Sequence, residues 1–202
     1  GRFDIVIGTQ LVAKGHHFPM LNLVGVIDAD IGLANGDPRA AERTFQLLHQ
    51  VIGRAGREAG TGHGYLQTHQ PEHPVIRALI AQDREAFYSA EIELREKTQY
   101  PPFGRLASIV VSGEDRHETE SFARALARAA PKVEGAAGDD VRVLGPAEAP
   151  LALVRGRHRL RLLVKSPRAF DLSAYLRDWL AAGPKPKGSI KLEIDVDPQS
   201  FL

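Results

Sequence analysis

The rhythm of polar and apolar positions changes several times along the chain. Residues 3–8, 23–27 and 64–68 are short apolar runs with little alternation, the pattern of parallel strands covered on both faces. Between the second and third runs the period lengthens to that of a helix. In PRAAERTFQLLHQVIGRAG (38–56), Ala41, Phe45, Leu48 and Ile52 fall on one side. Asp37 is placed as N-cap and Pro38 at the first helical position, and the helix weakens at Gly53 and Gly56. Strands alternating with a helix predict an α/β layer.

A longer helical pattern follows over 75–98, and YPPFG (100–104) stops it because neither proline continues the helix ladder. Beyond it the rhythm is strand 106–112, helix 117–130, short strands 141–144 and 152–155, strand 159–164, helix 169–182 and alternating strand 189–197. With one short strand in excess, this is the β-α-β-β-α-β order of a small α+β sandwich. The expected organisation is an α/β domain over 1–75, a connecting helix and linker over 76–104, and an α+β domain over 105–202. The chain opens inside a strand-like run, so it is expected to be a piece of a longer protein.

Composition narrows the picture. Hydrophobic residues at 43% and charged residues at 25% are those of a soluble globular protein. No apolar run approaches the roughly 18 residues of a membrane span, and the N-terminus lacks the charged lead and apolar stretch of a signal peptide. With no Cys there is no disulfide and no thiolate metal site, which fits a cytoplasmic location. Net charge is +1, but residues 1–104 hold 10 Lys and Arg against 12 Asp and Glu, while 105–202 hold 16 against 13. The basic excess therefore lies in the second half.

Three stretches could carry chemistry. In QVIGRAGR (50–57), Gln50, Arg54 and Arg57 fall within an arc of roughly 60° if the helix continues. They would turn away from the apolar side together, and guanidinium forks suit phosphate. The alternative is a solvated helix end whose arginines favour the C-terminal dipole. GTQLVAKGHHFP (8–19) follows a strand and supplies Gly8, Thr9, Lys14 and Gly15, a small hydroxyl and exposed amides that can hold a phosphate. Its alternative is an ordinary strand–helix connection.

The third stretch, RGRHRLRLLVK (155–165), places Arg155, Arg157, Arg159, Arg161 and Lys165 in eleven residues with no acid. In a strand Arg157, Arg159 and Arg161 share one face and Leu160, Leu162 and Val164 the other. Such a row attracts nucleic-acid phosphates; the alternative is a basic sheet edge that discourages aggregation. Tyr175 and Trp179, four apart on a helix, are predicted to be core, and Phe201 has no assigned role. Backbone contact is therefore expected rather than base reading.

No metal site is predicted. His69 and His73 have zinc-like spacing, but Pro71 lies between them and a third ligand is missing. LVGVIDAD (23–30) imitates an acidic metal motif, yet Asp28 and Asp30 read as strand-end residues. There is no G-x-x-x-x-G-K-[ST] phosphate loop.

GTQLVAKGHHFP and QVIGRAGR, in that order, resemble motifs V and VI of superfamily 2 helicases. IGTQLVAKGHHFP, AERTFQLLHQVIGRAGR, LQTHQPEHPV, YPPFG and the closing IDVDP are similar to the C-terminal part of the primosomal protein N′ (PriA) family of replication-restart helicases. The resemblance implies a remainder of a second RecA-like lobe followed by a small α+β DNA-binding domain that resembles a small ribosomal protein fold. It implies an ATP and Mg2+ site completed by a first lobe. Arg57 would be its arginine finger, with Arg54 and Gln50 at the phosphates. Gly8, Thr9 and Gly15 would belong to motif V at nucleotide and DNA backbone, with Lys14 at the DNA. His17 stands where many relatives carry an Asp near the ribose. Zinc is bound in the family through cysteines upstream, so none is expected in this chain. Implied partners are branched or forked DNA, the single-stranded-DNA-binding protein and other primosome proteins, with no membrane. The expected activity is ATP-dependent DNA unwinding in replication restart, with this chain alone inactive. The alternative is a non-catalytic module that binds forks and loads the primosome.

Overall fold

The computed structural model describes residues 3–9, 21–33, 37–55, 62–133 and 141–201. It falls into two units, divided between Glu91 and Ile92. In chain order the elements are β1 (Leu23–Val26), α1 (Ala40–Ile52), β2 (His63–Leu66), α2 (Pro74–Ala81), α3 (Arg84–Thr98), β3 (Gly104–Gly113), α4 (Arg116–Arg128), β4 (Arg142–Val154), β5 (Arg157–Pro167), α5 (Leu172–Ala182) and β6 (Lys191–Val196). The fold is mixed α/β, with a parallel two-stranded sheet and an antiparallel four-stranded one.

In the first unit β1 and β2 pair in parallel from Leu23↔His63 to Val26↔Leu66. Their core is built by Ala29, after β1, together with the apolar side of α1, α2 and the start of α3: Phe45, Leu48, Val75, Ile76, Ala78, Leu79 and Phe87. The rings of Phe45 and Phe87 stack 4.2 Å apart. Gly64 lets α1 approach β2, since a Cβ there would meet Ile52 Cγ2 at 2.7 Å. Residues 3–9 form no strand and are exposed throughout, which corrects the expectation of a third buried strand. An apolar run becomes a strand only when a neighbour takes its backbone groups, and no described strand pairs with it.

Two further expectations change. Asp37 caps the turn ahead of α1, accepting from the Arg39 amide at 2.8 Å, and the helix starts at Ala40. The single helix predicted over 75–98 is two: α2 ends at Gln82, which has φ 54°, and Asp83 restarts the chain by accepting from the Ala86 amide at 2.9 Å.

The second unit follows the predicted β-α-β-β-α-β order, with the sheet arranged β4-β5-β3-β6. Rows such as Val111↔Leu160 and Ile109↔Leu162 place apolar side chains from β3 and β5 on one face. Ala123 and Leu126 of α4 and Leu172, Tyr175, Leu176 and Trp179 of α5 complete that core. Both helices start on aspartate caps, Asp115 accepting from Glu118 and Asp171 from Ala174. Tyr175 and Trp179 are buried as predicted, and the indole donates to the Leu126 carbonyl at 3.0 Å. The two short strands predicted over 141–155 are one long strand, β4, whose register against β5 shifts between Leu144 and Ala147 and between Glu148 and Leu153. Gly104, the last residue of YPPFG, has no room for a Cβ, which would lie 2.3 Å from the Gln99 carbonyl oxygen.

Candidate nucleotide and nucleic-acid sites

In the first unit the candidate residues lie at the ends of elements. Gln50 is exposed on the last turn of α1, opposite the buried Phe45 and Leu48. The helix ends at Ile52 because Gly53 takes the C-cap, and Arg54 follows half-buried in a turn, its amide donating to the Val51 carbonyl at 3.2 Å. The helical projection of the motif therefore holds to Ile52 and not beyond. Gly8 and Thr9 are exposed in the non-regular segment. Lys14, Gly15, His17 and Arg57 lie outside the described residues.

Asp28 and Asp30 do not form a pair. Asp28 is exposed with φ 60°, whereas Asp30 is buried and accepts from the Thr68 hydroxyl at 2.5 Å and the His69 amide at 2.6 Å. Those two bonds, the Thr68 hydroxyl foremost, hold the Asp30 carboxyl below the ordinary aspartate range. The group thus clamps the loop after β1 to the end of β2. His73 Nδ1 is likewise engaged, accepting from the Val75 amide at 3.2 Å as the N-cap of α2. Among the described residues no three His, Cys, Asp or Glu gather as a metal would require.

In the second unit the basic strand alternates as the pattern predicts, with Leu160, Leu162 and Val164 in the core and Arg157, Arg159, Arg161 and Lys165 on the other face. The strand is internal, between β4 and β3, so the alternative of a basic sheet edge does not apply. Its cations are engaged to different degrees. Arg157 donates to the carbonyls of Ser112 (3.1 Å) and Ser189 and reaches Glu114 at 3.5 Å. The Arg161 guanidinium lies 4.1 Å from the ring centroid of Phe201, which is buried rather than an idle tail residue. Lys165 donates to the Thr98 carbonyl at 2.6 Å over the Tyr100 ring. Burial, and secondarily the charge of Arg142, hold its ammonium below the ordinary lysine range. Arg155 is exposed in the β4–β5 turn. Arg159 is half-buried and in register with Ser112, which pairs with the exposed Lys191 on its other side. Of these cations Arg155 and Lys191 are exposed, and Arg157, Arg159, Arg161 and Lys165 are half-buried. Lys191 was not among the residues singled out from sequence, since its place in the row needs the β3–β6 register.

Residues 96–199, just over half of the chain, match the family described as Primosomal protein N C-terminal domain. The chain belongs to the PriA family. The replication restart protein PriA of Rickettsia felis is 45% identical over 198 residues, covering 98% of this chain and 30% of that protein. Those of Bacillus subtilis and Haemophilus influenzae are 38% and 37% identical over all of this chain and 25% and 27% of their own lengths. The chain thus spans less than a third of these PriA relatives. The PriA C-terminal match begins at Glu96, inside α3, and takes in the whole four-stranded sheet. No helix among the described residues is long and apolar enough to cross a membrane.

Proposed function

We propose that this chain forms the C-terminal part of an ATP-dependent DNA helicase acting in replication restart. Its first unit is the remainder of a RecA-like lobe and its second a domain that holds forked DNA. The observation that carries this reading is the ordered pair GTQLVAKGHHFP and QVIGRAGR in a chain 37–45% identical, along almost its whole length, to replication restart proteins. Arg57 is assigned the role of arginine finger, with Arg54 and Gln50 beside it. An amide and guanidinium groups suit phosphate oxygens and stabilise the charge that grows on them during phosphoryl transfer. Asp30, with both oxygens engaged by Thr68 and His69, does not fit a Mg2+ ligand. Hydrolysis by water of ATP bound at the finger with Mg2+, to ADP and phosphate, would supply the free energy for strand separation. The first wall of that site, the zinc-holding cysteines and the contacts with single-stranded-DNA-binding protein and primosome proteins belong to the whole protein, acting in the cytoplasm.

The test is Arg57→Ala in the intact protein that carries this chain. DNA-stimulated ATP hydrolysis is expected to fall about a thousandfold, with fork binding retained. Turnover equal to the unsubstituted protein rejects the finger. An intact protein that binds forks but hydrolyses no ATP is the non-catalytic loader instead.

A further inference from the structure

The β4–β5 hairpin has a feature that the nucleic-acid reading does not use. Its turn is Arg155-Gly156, between the paired residues Val154 and Arg157. Both turn residues have positive φ, 50° and 75°, as tight two-residue turns between twisted strands require. Glycine, asparagine and aspartate suit those positions, so an arginine there is strained. An arginine held against local preference at a hairpin tip raises the question of what its charge does there.

Beside the turn, Leu153 is 60% exposed and Leu151 is 50% exposed. Cross-strand partners share a face, so Leu153, opposite His158, lies on the side that carries Leu160 further along β5. At Leu153 that apolar side is uncovered. Arg157 and Arg159 occupy the other side of the same hairpin, and residues 149–165 contain no acid. The hairpin end thus exposes two leucines beneath a basic turn, Leu153 on the core side and Leu151 in the stretch where the β4 register shifts, with Arg159 and Lys191 on the opposite face.

This combination is selective. Basic side chains alone bind any phosphate backbone. Apolar side chains inserted between bases need those bases unstacked, at a cost of a few kcal/mol in duplex DNA. At the branch of a fork the bases are already partly unstacked, so that cost is largely absent. A two-stranded ribbon is also narrow enough to enter DNA. We infer that the hairpin end is a branch-recognition wedge: Leu151 and Leu153 pack on the unstacked bases at the junction, while Arg155 and Arg159 hold the flanking phosphates. The inference rests on the DNA-binding reading above and adds what distinguishes a fork from a linear duplex.

The experiment compares binding of the intact protein to a fork and to a linear duplex of the same length, across a range of salt. Leu151→Ser with Leu153→Ser is expected to weaken fork binding about tenfold, leaving linear duplex binding and the salt slope unchanged. Leu153→Phe, which keeps an apolar side chain, is expected to retain the preference. Arg155→Gly is expected to raise the melting temperature by relieving the turn while lowering affinity for both DNAs with a shallower salt slope. A double serine variant that keeps its full fork preference overturns the wedge, with DNA binding itself untouched. Equal loss on fork and duplex also overturns it, since the leucines would then support the domain rather than read the branch. If the unsubstituted protein binds neither DNA, the DNA-binding reading fails and takes the wedge with it.

Discussion

The two units solve the burial of apolar strands in opposite ways. In the second, both helices cover one face of a four-stranded sheet, and Ile109, Val111, Leu162, Val164 and Trp179 are fully buried. In the first, two parallel strands of four residues each leave Leu23 55% and Tyr65 62% exposed, Ile27 just after β1 is 83% exposed, and the apolar Ile5 and Ile7 are 80% and 92% exposed. Parallel strands are stable when covered on both faces; among the described residues α1 and α2 build the core of the unit, and the apolar side chains just named stay exposed. Alternation along a strand means that one covered face is enough, whereas a continuous apolar run needs more surroundings than its own unit provides. Similar hydrophobic content thus gives a closed core in one place and an open one in the other.

The comparison can be pushed hardest at the closed core. Trp179→Ala removes a fully buried ring and its hydrogen bond to Leu126 and is expected to cost about 3–5 kcal/mol. Denaturant unfolding followed by circular dichroism checks this, and an effect below 1 kcal/mol would mean the second unit's core is not closed as described. A smaller effect is expected in the first unit. Gly64→Val places side-chain atoms against Ile52 and should cost about 1–3 kcal/mol through overpacking; a neutral result would show that α1 moves freely over β2. The smallest effect concerns Asp30. Its pKa is lowered in the folded state, so its contribution is complete above the unfolded value of about 4 and is lost as pH falls through the folded value. Melting of the first unit should therefore become easier on acidification through that range, and Asp30→Asn should flatten the dependence. An unchanged pH profile in the variant would remove Asp30 from the account.

The second unit was the more legible from sequence because its signals are local. RLRLLV alternates between an arginine face and a leucine face; the caps Asp115 and Asp171 are local too, yet the helix expected from 169 begins only at Leu172, after Asp171. Elements were misjudged where the deciding signal was non-local or masked by composition. Gly145, Pro146 and Pro150 look like breaks, yet β5 holds β4 together across its register shifts. The α2–α3 break carries no glycine or proline, since Gln82 itself takes the positive φ; the cap at Asp83 was the available cue. The candidate site was legible as chemistry more than as geometry. Gln50 is exposed as the helix pattern predicts, but Gly53 ends α1 before Arg54, so a helical wheel cannot aim that side chain. That Arg161 lies against Phe201 and Lys165 against Tyr100 depends on contacts distant in sequence, which no strand period reveals.

The strand order β4-β5-β3-β6 also governs how the second unit can be made. β3 is synthesised first but is interior, flanked by strands that arrive much later: Ala107 pairs with Val164 on one side and with Val196 on the other. On the ribosome it must wait, with Ile109 and Val111 uncovered, until nearly the whole unit has emerged. Distant pairings of this kind close slowly, and an open strand edge recruits other chains in the meantime. A chain interrupted ahead of Lys191 would leave one side of β3 permanently open, so truncation in this stretch leads to aggregation rather than to a smaller soluble domain.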